Sequence, residues 1–193
     1  PDNHLLSHFP SHRLTGEELR DSMLFVAGRL NITDGGQSIR MPLPPEIAET
    51  LLDKQKQFNT DPAQQDRRSI YVFARRNLRL PIFDVFDRPD GLLSCSRRTE
   101  SVTAPQALTM LNSSFSNSMA QSMAEVLLTQ GSTPDIIVTE GLRRCFGRDP
   151  TELDLQMGRT FLEKQTALTS TFSEAVADYC LGLMNASEFC FID

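Results

Sequence analysis

Residues 133–161 read TPDIIVTEGLRRCFGRDPTELDLQMGRTF. Thr133–Pro134 opens a helix, since proline in a first turn gives up a donor that has no partner there anyway. Val138, Leu142, Cys145 and Phe146 then share one face, and Gly147 supplies the stop. Four residues on, Thr151-Glu152-Leu153-Asp154 starts a second helix, expected to pack through Leu153, Met157 and Phe161. Two amphipathic helices joined by a short polar connection are antiparallel neighbours in a bundle.

The same grammar extends in both directions. Downstream, Thr171 and Glu174 form a T-x-x-E capping box before a helix that buries Val176, Cys180, Leu183 and Met184. Upstream, a helix from about Phe115 to Thr129 carries Met119, Met123, Val126 and Leu127 as its stripe, and Gly131 stops it. Before that, Thr103-Ala104-Pro105-Gln106 caps a helix through Leu108 and Leu111 to Asn112. Near the start, Thr15-Gly16-Glu17-Glu18 caps another, with Leu19, Met23, Val26, Ala27 and Leu30 on one face until Asn31.

The intervening segment is less regular. Gly35-Gly36 and three prolines forbid a long helix between Ile32 and Pro45, a short one is expected near Glu46 to Asp53, and residues 55–66 read as an exposed loop. Ile70-Tyr71-Val72-Phe73 is β-branched and aromatic and reads as a short buried strand or extended segment, with a partner near Gln37 to Leu43. Pro81 opens a short helix over Ile82 to Asp87, ended by Arg88-Pro89. The expected fold is mainly α: an irregular antiparallel helical bundle with one short β-hairpin or extended segment around residues 37–43 and 68–74. At 193 residues and 39% apolar content, a single domain over 1–193 is expected. The abrupt polar start without methionine favours a C-terminal piece of a longer protein.

Charge narrows the function classes. The net charge of −6 argues against nonspecific nucleic-acid binding, which needs a basic face. No apolar run approaches the roughly 20 residues of a membrane span, and Pro1-Asp2-Asn3-His4 is no signal peptide. Yet residues 67–98 hold eight arginines and three aspartates, a local net of +5. Arginine outnumbers lysine 16 to 3, a bias towards planar, bidentate recognition of carboxylate, phosphate or sulfate.

Motifs for common chemistries are missing. There is no G-x-S-x-G elbow, P-loop, G-x-G-x-x-G, C-x-x-C or C-x-x-C-H. His4, His8 and His12 are spaced four apart, but Pro10 prevents a shared helical face, so no metal site is assigned. Ser94-Cys95-Ser96 and Ser113-Ser114 read as turn and cap residues, and Cys145 and Cys180 as buried structural thiols. Asp84 and Asp87, three apart on a short helix, are expected to form structural ion pairs with the surrounding arginines, among them Arg67 and Arg68.

An ordered series of motifs resembles a known family. Phe9-Pro10 with Arg13-Leu14, Glu18-Leu19-Arg20-Asp21-Ser22, Arg67 to Phe73 with Arg75-Arg76-Asn77, Phe86 to Asp90, Ser94-Cys95 with Arg97-Arg98, Thr103 to Leu108 with Leu111-Asn112, Gly147-Arg148 with Pro150-Thr151, Leu183-Met184-Asn185 and Ser187-Glu188-Phe189 together resemble the planctomycete-specific domain of unknown function. The resemblance implies an extracytoplasmic C-terminal domain of a large secreted protein, often one with a signal peptide and a cytochrome-c-like domain. Any haem c would then belong to an upstream part and not to this chain. The resemblance implies no catalytic residue.

Two functional expectations follow. The first is a noncatalytic module that binds upstream domains of its own polypeptide or an acidic or sulfated glycan, with Arg75, Arg76, Arg97 and Arg98 as anion contacts and Gln106 and Asn112 as polar partners at helix ends. The alternative is part of a hydrolytic or haem-linked redox enzyme completed upstream.

Overall fold

The computed structural model describes residues 11–42, 61–74, 80–89, 91 and 94–192. Contacts gather the chain into two compact units: an arginine-rich unit of Thr15–Phe25 and Arg29–Ser101, and a helical unit of the residues up to Leu14, Val26–Gly28 and those from Val102 onward. Among the described residues, nine α-helices and one two-stranded antiparallel sheet make the chain mainly α.

The helical unit is built from α4 (Ala104–Asn112), α5 (Ser114–Gln130), α6 (Pro134–Phe146), α7 (Glu152–Leu168), α8 (Phe172–Met184) and the short α9 (Ser187–Cys190); α1 (Gly16–Val26), α2 (Pro62–Gln65) and α3 (Pro81–Val85) precede them in the chain. Capping fixes the helix starts. Thr171 accepts from the Glu174 N–H at 3.2 Å while the Glu174 carboxylate accepts from the Thr171 N–H at 3.1 Å. Thr151 and Asp154 make the same reciprocal pair at 2.8 and 3.2 Å. Gly147, with φ 69°, adopts the left-handed conformation that ends α6.

The core joins α5 to α8, with α6 and α7 packed alongside. Met119, Met123, Leu127, Ile137, Val138, Leu162, Val176, Cys180 and Met184 are buried in it. Each fully buried apolar side chain of this kind contributes about 1.5–3 kcal/mol.

Two buried faces differ from the sequence reading. On α7 the expected stripe is turned outward: Leu153 and Met157 are each 63% exposed and Phe161 39%, while Gly158 and Leu162 face the core. The cause is the α6–α7 approach. A Cβ at Gly158 would sit within the Val138 side chain, 3.0 Å from Cγ1 and closer still to Cγ2, so this small residue takes the contact. On α4, Gln106 and Met110 are buried, whereas Leu108 and Leu111 are exposed.

The sheet joins β1 (His12–Arg13) to β2 (Phe191–Ile192), with His12 opposite Ile192 and Arg13 opposite Phe191. The Leu14 N–H extends the pairing to the Cys190 carbonyl at 2.9 Å.

The arginine-rich unit contains most of α1 (Gly16–Val26), α2 (Pro62–Gln65), a 3₁₀ turn at Ser69–Tyr71 and α3 (Pro81–Val85). Thr15 and Glu18 cap α1 as expected, and Leu19, Met23 and Leu24 are fully buried. The helix ends at Val26, before the expected Leu30, because Gly28 takes a left-handed φ of 71°. The expected pairing of 37–43 with 68–74 is one parallel bridge. The Ile39 N–H donates to the Tyr71 carbonyl and the Phe73 N–H to the Ile39 carbonyl, both at 2.8 Å. The residues before it form the 3₁₀ turn where a strand was expected. Ile39, Val72 and Phe83 form the local core, flanked by Met41, Tyr71, Leu80 and Ile82. The described end of the expected 55–66 loop carries α2, capped by Asp61. Its remainder, the expected helix at 46–53, His4 and His8 lie outside the described residues.

Candidate functional site

The arginines were the first candidates. Arg67 is buried, and its guanidinium donates to the main-chain carbonyls of Thr33 at 3.1 and 3.2 Å, of Gln37 at 3.2 Å and of Gly35. It also lies 4.0 Å from the Tyr71 ring centroid. The expected ion pair is therefore replaced by a cage of carbonyls, which the Gly35-Gly36 turn makes by pointing alternate peptide oxygens inward. Arg20, 1% exposed, braces the other side: Nη1 donates to the Arg67 carbonyl at 2.9 Å and to Ser69 Oγ at 3.1 Å, and Nη2 to the Gln65 carbonyl at 2.5 Å. Asp21 accepts from the Ser69 N–H at 2.7 Å and hydroxyl at 2.6 Å and lies 3.5 Å from Arg20 Nη1. Burial pulls the Arg20 guanidinium below its ordinary pKa, and Asp21 opposes that shift. These groups are a scaffold.

The remaining predicted residues are dispersed. Arg98 makes a bidentate pair with Glu17 at 2.9 and 3.3 Å, and Arg88 approaches the same carboxylate at 3.5 Å. Arg97 and Arg68 are exposed, with no carboxylate partner among the described residues. Arg75 and Arg76 lie outside the described residues. Asp87 accepts from the Ser101 N–H and hydroxyl at 2.9 Å, and Asp84 lies on the exposed side of α3. Gln106 Oε1 accepts from the Thr103 N–H at 3.1 Å and Asn112 donates to its own helix at Leu108, so both serve helix ends.

Thiols and histidine assemble no reactive centre among the described residues. The four cysteines are unbonded, and burial pushes Cys145 up to about 12 and Cys190 to about 11, with Cys180 shifted the same way. No group of three or more His, Cys, Asp or Glu with metal-holding geometry occurs among the described residues.

The helical unit holds a different feature. Leu142 and Phe146 of α6, Met157 and Phe161 of α7, and Tyr179 and Leu183 of α8 line an apolar groove of about 310 Å³. The Phe161 and Tyr179 rings meet at 5.8 Å. At one end Arg148 is clamped, donating to both Glu188 oxygens at 2.5 and 3.1 Å and to Asp154 at 2.8 Å. That clamp raises the Arg148 pKa and holds the Asp154 carboxyl well below its ordinary range, with the Thr151 N–H and hydroxyl adding to the effect. Gly182 also borders the groove, and a Cβ there would meet nothing within 4 Å. Sequence reading missed this site because it assigned Met157 and Phe161 to the core. A glycine between Leu181 and Leu183, inside the last turn of a helical pattern, was the available signal.

Residues 1–162 match the family described as PSD1: Protein of unknown function (DUF1553). The chain belongs to this family. Neither a curated protein nor a solved structure matches it. The PSD1 match ends at Leu162, within α7, whereas α8 supplies Val176, Cys180 and Met184 to the same core. The fold thus runs past the matched region, and one wall of the groove lies beyond it. Within the match, the motifs at Arg20-Asp21 and Arg67 to Ser69 interlock directly, which gives those PSD1 residues a structural reason.

Proposed function

We propose that the chain is a noncatalytic interaction module of a larger extracytoplasmic protein, and that it docks a partner polypeptide through the groove bordered by α6, α7 and α8. The observation that carries this reading is the apolar stripe of α7, which leaves Met157 63% and Phe161 39% exposed beside a groove. Contiguous apolar surface of this sort marks interaction sites. The upstream domains of the same polypeptide, expected from the resemblance to planctomycete secreted proteins, are natural partners.

Arg67 and Arg98, engaged internally, weaken the reading of an anionic-glycan site and leave Arg97 as its described candidate. Selection of displayed random peptides against the chain tests the docking reading: recovered peptides are expected to lose binding to Met157→Glu and Phe161→Ala. Peptides indifferent to both substitutions would overturn it. Salt-dependent retention on sulfated polysaccharide that disappears in Arg97→Ala would favour the glycan in its place.

A further inference from the structure

Resting on that interaction reading, we propose that the occupant of the groove is an amphipathic helix with two apolar anchors one turn apart and basic flanking residues. The walls are helices, and among the described residues no strand lines the groove, so an added β-strand has nothing to pair with there; a helix laid along helical walls is the mode this shape favours. Apolar residues at i and i+4 are what a helix laid along such a floor would turn towards it. Gly182 sets the depth of approach. The fold itself does not need a glycine there, since its Cβ position is open, and its absent side chain lets a partner backbone come close to α8.

Charge selects the flanks. Residues 102–193 carry five basic and eleven acidic side chains. At the groove the one arginine, Arg148, is held between Glu188 and Asp154, leaving the lining acidic by one charge with no cation offered to an anionic ligand. A basic segment is attracted to such a surface and an acidic one repelled. A second copy docking groove to groove would bring two acidic faces together, which disfavours self-association.

The test is display selection of random 16-residue peptides on the whole chain, with Met157→Glu as counter-selection. Recovered groove-dependent peptides are expected to pair apolar residues at i and i+4 with lysine or arginine, and to bind Gly182→Leu at least about tenfold more weakly while its melting temperature is not lowered. Replacing their basic residues by glutamate should cost about tenfold at low salt and less at high salt. Groove-dependent peptides that are neutral or acidic would overturn this inference and leave the docking reading intact. Recovery of groove-independent peptides, or of none, would overturn both. Concentration-dependent dimerisation abolished by Met157→Glu would identify a second copy as the occupant and overturn it too.

Discussion

Replacing Gly182 by alanine should stabilise the protein. Gly182 lies in the last turn of α8, in helical conformation, and a Cβ built there meets no atom within 4 Å. Glycine inside a helix costs roughly 0.5–1 kcal/mol relative to alanine, through the backbone entropy it loses on folding. The Asn185 N–H caps the carbonyls of Leu181 and Gly182, so the position is near a helix end and the lower part of that range applies. For a chain of this size about 0.5 kcal/mol raises the melting temperature by roughly 1–2 °C. Gly158→Ala is the opposing control. Its methyl group would collide with Val138, and overpacking of this kind costs about 1–3 kcal/mol, or roughly 2–12 °C. Thermal melts followed by circular dichroism, with urea titrations for the free energies, measure both. A Gly182→Ala protein less stable than wild type would mean that the groove is closed in solution, and a neutral Gly158→Ala would refute the close α6–α7 crossing.

Arg20→Met should destabilise the chain by about 3 kcal/mol in urea unfolding, because it strips partners from the buried carbonyl of Arg67, from the half-buried carbonyl of Gln65 and from Asp21; Arg97→Ala should stay within about 0.5 kcal/mol. Asp154 has a folded pKa depressed below its ordinary 3.8, so its contribution is present above about pH 4 and is lost as the pH falls towards the folded value. Asp154→Asn should accordingly be less stable than wild type at pH 7, with the gap narrowing below about pH 4; a gap independent of pH would remove the ion pair from the account. With a thiol-specific chromogenic reagent at pH 8, exposed Cys95 should react rapidly in the native protein and all four cysteines after denaturation. Fast labelling of a second thiol would contradict the burial of Cys180 and the half-buried placement of Cys145 and Cys190.

Helix ends were legible because capping is local. Thr103 with Gln106, Thr171 with Glu174, and Gly147 each need only three or four residues of context, and each stands where the pattern puts it. The buried face of α7 was not legible, since Leu153, Met157 and Phe161 form a better apolar stripe than the glycine and leucine that occupy the core. Close approach of Val138 to Gly158 overrides side-chain hydropathy there, and nothing in α7 alone reports it. Arg67 was legible as unusual but not in its partners, because charge counting finds carboxylates and the partners are peptide oxygens of the Gly35-Gly36 turn. Arg20 could have been singled out. It shares a helical face with Met23, Leu24 and Ala27, where an arginine must be buried and braced. The β1–β2 pairing joins residues far apart in sequence, through strands too short to show alternation.

The most direct test of the docking groove compares one groove-selected peptide on wild type and on Gly182→Leu by fluorescence anisotropy, with melting temperatures measured on the same samples. The account predicts affinity lower by at least about tenfold in the variant, at a melting temperature equal to or above that of wild type. Equal affinity for the two proteins would contradict it.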